Sequence, residues 1–437
     1  MHEFKGLKME EITYFGLDLS EYYSQISYFR DSMEEPVSIS THYGTEEYLI
    51  PTVIAKKPGV AQWFFGEEAL SFNNPIKGLL SKAFRKEKIP VEDEEIEATE
   101  LLSLFIRKVL SMTSSVSCDK TKDYFIICID HATQMQTDTL LSITDTLSIP
   151  REHVKICSKQ ECFCYYVMNQ DPALSLHDSL LMDYWHNAFR LYVLSKDTRI
   201  TPTVVKVSEL QFPSLSHMSD TLNMSEEEMM VHKDGVFLRA LDDILGERIT
   251  SSVYLVGDGF DGNWMNRSKS RLCAGRRVFF GMNLFTKGAC YYGQIIRRKF
   301  KNQPEYLYLG GGNMLFNVCL KVYNKGEIQL KPLISAGYNY QDALGAMDVI
   351  IMPDEEPEIT LYCKPIKGGE ASEYTFPLKG LVVSENLTTR LRIFGKAASP
   401  DRILINIKTL PFGEIEKDLE LSWDYEIMLG KSETEEN

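Results

Sequence analysis

At 437 residues the chain is roughly three times the usual domain length, so two or three packed units are expected. Hydrophobic residues at 44% and charged residues at 25% exclude global disorder, and no stretch approaches the ~18 uninterrupted apolar residues of a membrane-spanning helix. Lysine and arginine number 47 against 62 aspartates and glutamates, and the resulting net charge of −15 argues against a general role in coating nucleic acid.

The opening MHEFKGLKMEEITYFGL carries acidic residues where a signal peptide needs a cationic end and an apolar run, so a cytoplasmic protein is expected. Residues 12–19 and 24–30, joined by the polar turn SEYY, predict a hairpin, with a third strand over Thr52 to Ala55 after Pro51. Leu101, Leu102, Phe105 and Val109 fall at helical spacing behind the acidic run Glu92 to Glu100, which suits a helix start. Asp123 to Asp130 (DYFIICID) is the continuous apolar run of a strand covered on both faces. A strand near His153 to Cys157 and a helix near Gln160 to Met168 follow, then a second hairpin over Ser179 to Asp183 and Phe189 to Leu194. Ser225 and Glu228 fit a capping box that opens a helix, or a broken pair, running to Gly246. It feeds an apolar strand, Ser252 to Val256, that ends in Gly257-Asp258-Gly259. Strands and helices alternating to about residue 300 predict an α/β architecture.

Beyond about residue 310 the texture changes. Runs at 346–352, 358–363, 388–394 and 402–408 are rich in Ile, Val, Leu and Thr, and turn clusters such as Pro353 to Pro357 and Lys367-Gly368-Gly369 separate them. A separate antiparallel β domain, sandwich-like, is expected over 325–430, with a disordered acidic tail at 431–437. The nine cysteines (Cys118, Cys128, Cys157, Cys162, Cys164, Cys273, Cys290, Cys319 and Cys363) follow no repeating frame, which predicts reduced thiols. The tightest group, His153, Cys157, Cys162 and Cys164, lacks paired C-x-x-C spacing, so buried thiols are expected there and no metal.

Three pieces in chain order resemble the actin-like ATPase superfamily, in particular the nucleotide-binding part of DnaK-type heat-shock chaperones. The first is Phe15-Gly16-Leu17-Asp18-Leu19-Ser20 followed by Ile26 to Phe29, similar to the family's first phosphate hairpin; Tyr48 to Ala55, Phe65 to Ala69 and Ile76 to Leu80 resemble the segments after it. The second is 123–168, a strand, polar turn, helix, strand and helix, after which Ser179 to Leu194 falls where a second phosphate hairpin belongs. The third is Val253 to Phe260, similar to the adenosine strand and its glycine turn, with Gly288 to Ile296 resembling the small-residue helix that closes the pocket. The resemblance implies a two-lobed actin-like (ribonuclease H-like) body over 1–320, lobe I to about 175 and lobe II from about 176. It also implies ATP or ADP with magnesium, bound weakly, held by Gly16, Asp18, Ser20, Lys77, Asp183, Gly257, Asp258 and Gly259. The runner-up is a different nucleotide-binding α/β fold.

Several positions depart from the family pattern. Asp183 is followed by Tyr184-Trp185-His186-Asn187, bulky residues where backbone must approach phosphate. Ser20 and Glu21 stand where the family has glycine and threonine, and a carboxylate beside a triphosphate repels it. Lys287 falls where an acidic residue is usual, and too few residues separate Asp183 from Gly257 for the chaperones' outer subdomain. The expectation is therefore a degenerate ATPase-fold protein, a weak nucleotide binder or pseudoenzyme that serves as a scaffold or assembly partner. The alternatives are a working chaperone-like ATPase with a peptide-holding β domain, and a cleft rebuilt for another small ligand. A segment without acids, 267–301, contains Arg267, Lys269, Arg271, Arg276, Arg277, Lys287, Arg297, Arg298, Lys299 and Lys301. It predicts a positive patch that receives an acidic partner, nucleotide phosphate or the molecule's own acids. A protein partner is expected there or on the β domain, without membrane and without nucleic acid.

Overall fold

The computed structural model describes residues 11–429 apart from positions 117, 187, 213–214, 216–217, 219–223, 247, 300–305, 325, 352–355, 382–388 and 411–420. The expected tail 431–437, Lys301 and the turn at Pro353 lie outside the described residues. The chain forms two compact units, Met1–Asp197 with Val205–Glu305, and Thr198–Val204 with Tyr306–Asn437. The class is mixed α/β. None of the described helices is long and apolar enough to cross a membrane.

The first unit holds two sheets built to one plan. In lobe I, Thr13–Leu19 pairs antiparallel with Tyr23–Arg30 and parallel with Tyr124–Ile129, which pairs parallel with Val154–Ser158; Val37–Ser38 closes the other edge. In lobe II, Asp178–Trp185 pairs antiparallel with Ala188–Asp197 and parallel with Thr250–Val256, which pairs parallel with Arg277–Phe280; Thr203–Leu210 lies beyond the hairpin. Numbered by appearance, the five strands named in each sheet share the order 5-4-1-2-3. The strand Tyr124–Ile129 is apolar throughout because five of its six residues are buried, as a doubly covered central strand requires. The third strand expected at Thr52 to Ala55 is instead split. Ile50–Pro51 joins lobe I and Ile54–Lys56 pairs with Trp63–Phe65, since Pro51 has no N–H to continue a ladder.

Capping fixes where the helices begin. Thr133 with Gln136, Ser158 with Glu161 and Ser225 with Glu228 each exchange reciprocal side-chain and backbone bonds, and the last opens a single unbroken helix, Glu226–Gly246. The helix Leu284–Lys299 follows the lobe II sheet in sequence but packs on lobe I. Gly16 lies under it so closely that a Cβ there would sit 2.1 Å from the Thr286 carbonyl oxygen, and a Cβ on Gly288 would sit 2.0 Å from that of Cys162. These glycines allow backbone to meet backbone. Tyr165 stacks on Tyr292 at 4.5 Å across the same contact.

The second unit is two antiparallel four-stranded sheets over one apolar cluster that includes Val318, Leu361, Leu391, Ile393, Ile403, Ile407 and Ile427. Its strands alternate buried and exposed residues, most regularly over Thr389–Ser399. The β unit begins before the expected boundary near 320–325, because Phe316–Asn324 pairs with both Glu327–Ile334 and Glu358–Pro365.

Candidate functional site

Between the two sheets of the first unit lies a buried polar cluster that the strand register assembles. Gln25, Asp18, Cys128 and Cys157 are consecutive cross-strand neighbours in lobe I, and all four are buried. The Ser158 capping box places Lys159 at the first helical position, where a cation opposes the helix dipole and costs about 0.3–1 kcal/mol. Lys159 is also only 5% exposed. Three acidic side chains explain it. Its ammonium lies 3.0 Å from Asp130 and 3.3 Å from Asp183, which enters from lobe II, and Asp18 is also close enough to act on it. Arg190, the cross-strand neighbour of Asp183, bonds the other oxygen of Asp130 at 2.9 Å.

Burial works to depress Lys159, and Asp183, Asp130 and Asp18 outweigh it and hold the ammonium well above its usual value. Burial works to raise Asp130, and Lys159 and Arg190 outweigh it, bringing the carboxyl down to about 2. Asp18 goes the other way. Its burial is only partly offset by Lys159, and neighbouring Cys128, Asp130 and Asp183 add to the rise, so its carboxyl is pushed well up toward the neutral acid.

Above this cluster the two hairpin turns meet through aromatic side chains. Tyr22 lies 4.5 Å from the His186 ring, and Tyr23 lies 5.7 Å from Trp185. His186 takes the left-handed backbone conformation and is held there by Asp258, which accepts from its backbone N–H at 3.1 Å and contacts its Nδ1 at 2.8 Å. Gly257 passes under the same turn with φ at +112°, where an added Cβ would be 2.1 Å from the Tyr184 carbonyl oxygen. Gly259 packs on the Tyr184 ring, and its carbonyl accepts from Lys233 and Trp264.

The structure brings together Asp18 and Asp183, and the turn of Gly257, Asp258 and Gly259 adjoins them through Tyr184 and His186. Ser20 donates to Asp18 at 3.1 Å. Gly16 packs under the helix Leu284–Lys299. Lys77 is exposed, and its carbonyl accepts from Lys82. Glu21 turns to the start of the helix Leu79–Phe84, accepting from the Ser81 backbone at 3.1 Å and its hydroxyl at 2.6 Å. Lys287 pairs with Glu35, Arg297 with Asp31 and Arg271 with Asp242, so much of the basic segment is met by the molecule's own acids. Arg267, Lys269 and Arg277 of that segment are exposed. Sequence reasoning missed Lys159, Asp130 and Arg190. The available signal was a lysine placed at a helix start behind a strand, an unfavourable position unless acids surround it.

His153 does not join the cysteines, because it stacks on Tyr124 and bonds the Asp123 carbonyl. Cys128 takes its place, and the sulfurs of Cys128, Cys157 and Cys162 all lie within 4.8 Å of one another. A groove of about 1180 Å³, lined among others by Trp63, Glu100, Arg107 and Asp138, contains none of the expected site residues.

A family model described as the C-terminal part of a family of unknown function, DUF5716, matches residues 35–311, more than half of the chain. The chain belongs to the DUF5716 family. The matched region takes in Asp130, Lys159, Asp183 and Arg190 and begins after the Asp18 hairpin. A second model, a domain of unknown function named DUF8552, matches 313–429. No curated protein matches the sequence.

Proposed function

We propose that the first unit of this DUF5716 member is a degenerate actin-like, ribonuclease H-like body whose cleft is filled by its own side chains, and that it acts as a scaffold or assembly partner. The repeated 5-4-1-2-3 strand order and the two facing hairpins carrying Asp18 and Asp183 support the fold reading. The observation that carries the functional reading is Lys159. An ammonium between Asp130, Asp183 and Asp18 stands where an ATPase of this kind would hold its metal and phosphates. A second cation brought within about 4 Å of it meets a repulsion on the order of 4 kcal/mol at an effective dielectric near 20.

These residues do not fit a tightly held magnesium triphosphate. Tyr22, Tyr23, Trp185 and His186 occupy the space between the turns. Adenine nucleotide therefore binds at micromolar affinity or poorer, about −8 kcal/mol at best, and is not turned over. Isothermal titration with magnesium and ATP, together with a phosphate-release assay, tests the reading. A nanomolar constant, or turnover that disappears in Asp18→Ala, would overturn it. The scaffold reading places the protein in the cytoplasm, with a protein partner on the β unit or on the exposed part of the basic segment.

A second reading, a cleft rebuilt for a small polar ligand, is favoured by Gln25 Oε1 and Asp183 Oδ1, which are buried and have no hydrogen-bond partner among the described residues. A thermal-shift screen of nucleosides and small hydroxylated metabolites separates it from the scaffold reading.

A further inference from the structure

Cys128 and Cys157 face the same side of the lobe I sheet as in-register neighbours on parallel strands, and Cys162 comes down on them from the first turn of the helix that Ser158 caps. All three are 0% exposed. The Cys157 and Cys162 sulfurs are 3.3 Å apart, and the full set lies within 4.8 Å. We propose that Cys128, Cys157 and Cys162 form a three-thiolate site for a soft, closed-shell metal ion, and that the ion is copper(I).

The geometry points this way on three grounds. Metal–thiolate bonds of about 2.3 Å in a trigonal plane set sulfurs about 4 Å apart, so the side chains need move only by fractions of an ångström. Softness comes next, since three sulfurs with no imidazole or carboxylate in the group select a thiophilic ion. Coordination number separates the candidates. Copper(I) is satisfied by three thiolates, whereas structural zinc needs a fourth ligand that no His, Cys, Asp or Glu of the described residues adds to the set.

Burial holds Cys128 and Cys162 well toward the neutral thiol, so ionisation is coupled to metal entry and does not precede it. Binding converts three thiols to thiolates, and the protons leave to solvent as the ion enters. The proposal stands on the sulfur geometry and is independent of the actin-like reading, so either can fail alone.

The test uses the full chain, purified anaerobically with reductant and refolded with the metal present so that burial does not block entry. Copper(I) is titrated against a colorimetric copper(I) chelator while the near-ultraviolet thiolate–metal absorption is followed. The expected result is one equivalent per chain, lost in each of Cys128→Ser, Cys157→Ser and Cys162→Ser and retained in Cys164→Ser and Cys290→Ser, whose thiols are equally buried. X-ray absorption on the unmutated protein should give a first shell of three sulfurs, a readout that does not depend on how the variants fold. Absence of stoichiometric uptake, a shell containing nitrogen or oxygen, or a mass two hydrogens lighter from a Cys157–Cys162 disulfide would each overturn the proposal. Retention of zinc in place of copper would overturn the choice of ion.

Discussion

Replacing Lys159 with methionine keeps an unbranched side chain of similar length and removes the charge. Asp130 retains Arg190 at 2.9 Å, but Asp183, 3% exposed, loses the ammonium at 3.3 Å that its Oδ2 contacts, and its Oδ1 already lacks a partner. Breaking a buried ion pair from one side costs about 3–5 kcal/mol, because an uncompensated charge is left in a dry site. For a unit of this size that corresponds to a melting point lower by roughly 5–10 °C. Tryptophan fluorescence under urea follows the transition, since Trp63, Trp185 and Trp264 belong to the first unit and only Trp423 to the second. Pairing Lys159→Met with Asp183→Asn removes both charges and should recover most of the loss, so the double-mutant cycle isolates the coupling. A Lys159→Met protein within about 1 kcal/mol of the parent, or a double variant no better than the single, would refute Lys159 as the internal counter-ion.

Gly257→Ala places a Cβ 2.1 Å from the Tyr184 carbonyl at φ +112° and should cost upward of about 3 kcal/mol in chemical unfolding, whereas Gly275→Ala, at φ +76° with open space, should cost about 1 kcal/mol. Equal losses would remove close approach as the reason for Gly257. Gly16→Ala should likewise loosen the helix Leu284–Lys299 from lobe I, read as faster amide exchange in that helix, because its Cβ meets the Thr286 carbonyl. Glu21→Ala takes the acceptor from the Ser81 N–H and hydroxyl and should cost about 1–2 kcal/mol without raising ATP affinity tenfold; a tenfold gain would show that Glu21 alone repels the phosphates. A fragment over 306–437 should unfold cooperatively, since its apolar cluster is drawn from its own strands, while one starting at 325 should not, because it lacks the strand Phe316–Asn324. Cooperative unfolding of the shorter fragment would disprove the boundary.

Local patterns along the chain determined which elements form. The run FIICI could only be a covered strand, and Ser158 with Glu161 and Ser225 with Glu228 mark helix starts by bonds that span three residues. The two hairpins were legible for the same reason, and with them the positions of Asp18 and Asp183. The neighbours of those aspartates were not legible. Lys159 meets Asp183 from across two sheets, Tyr22 meets His186 from the opposite hairpin, and Cys128 meets Cys157 only because adjacent strands run in register. The common strand order of the two lobes was equally hidden, because strand neighbours are chosen by burial and long-range pairing, which different sequences satisfy alike. Gly16 shows the limit most plainly. A glycine before an aspartate in a strand reads as a phosphate contact, and only the helix Leu284–Lys299, arriving from far along the chain, makes it a packing residue, since a carbonyl oxygen fills the space where a Cβ would stand.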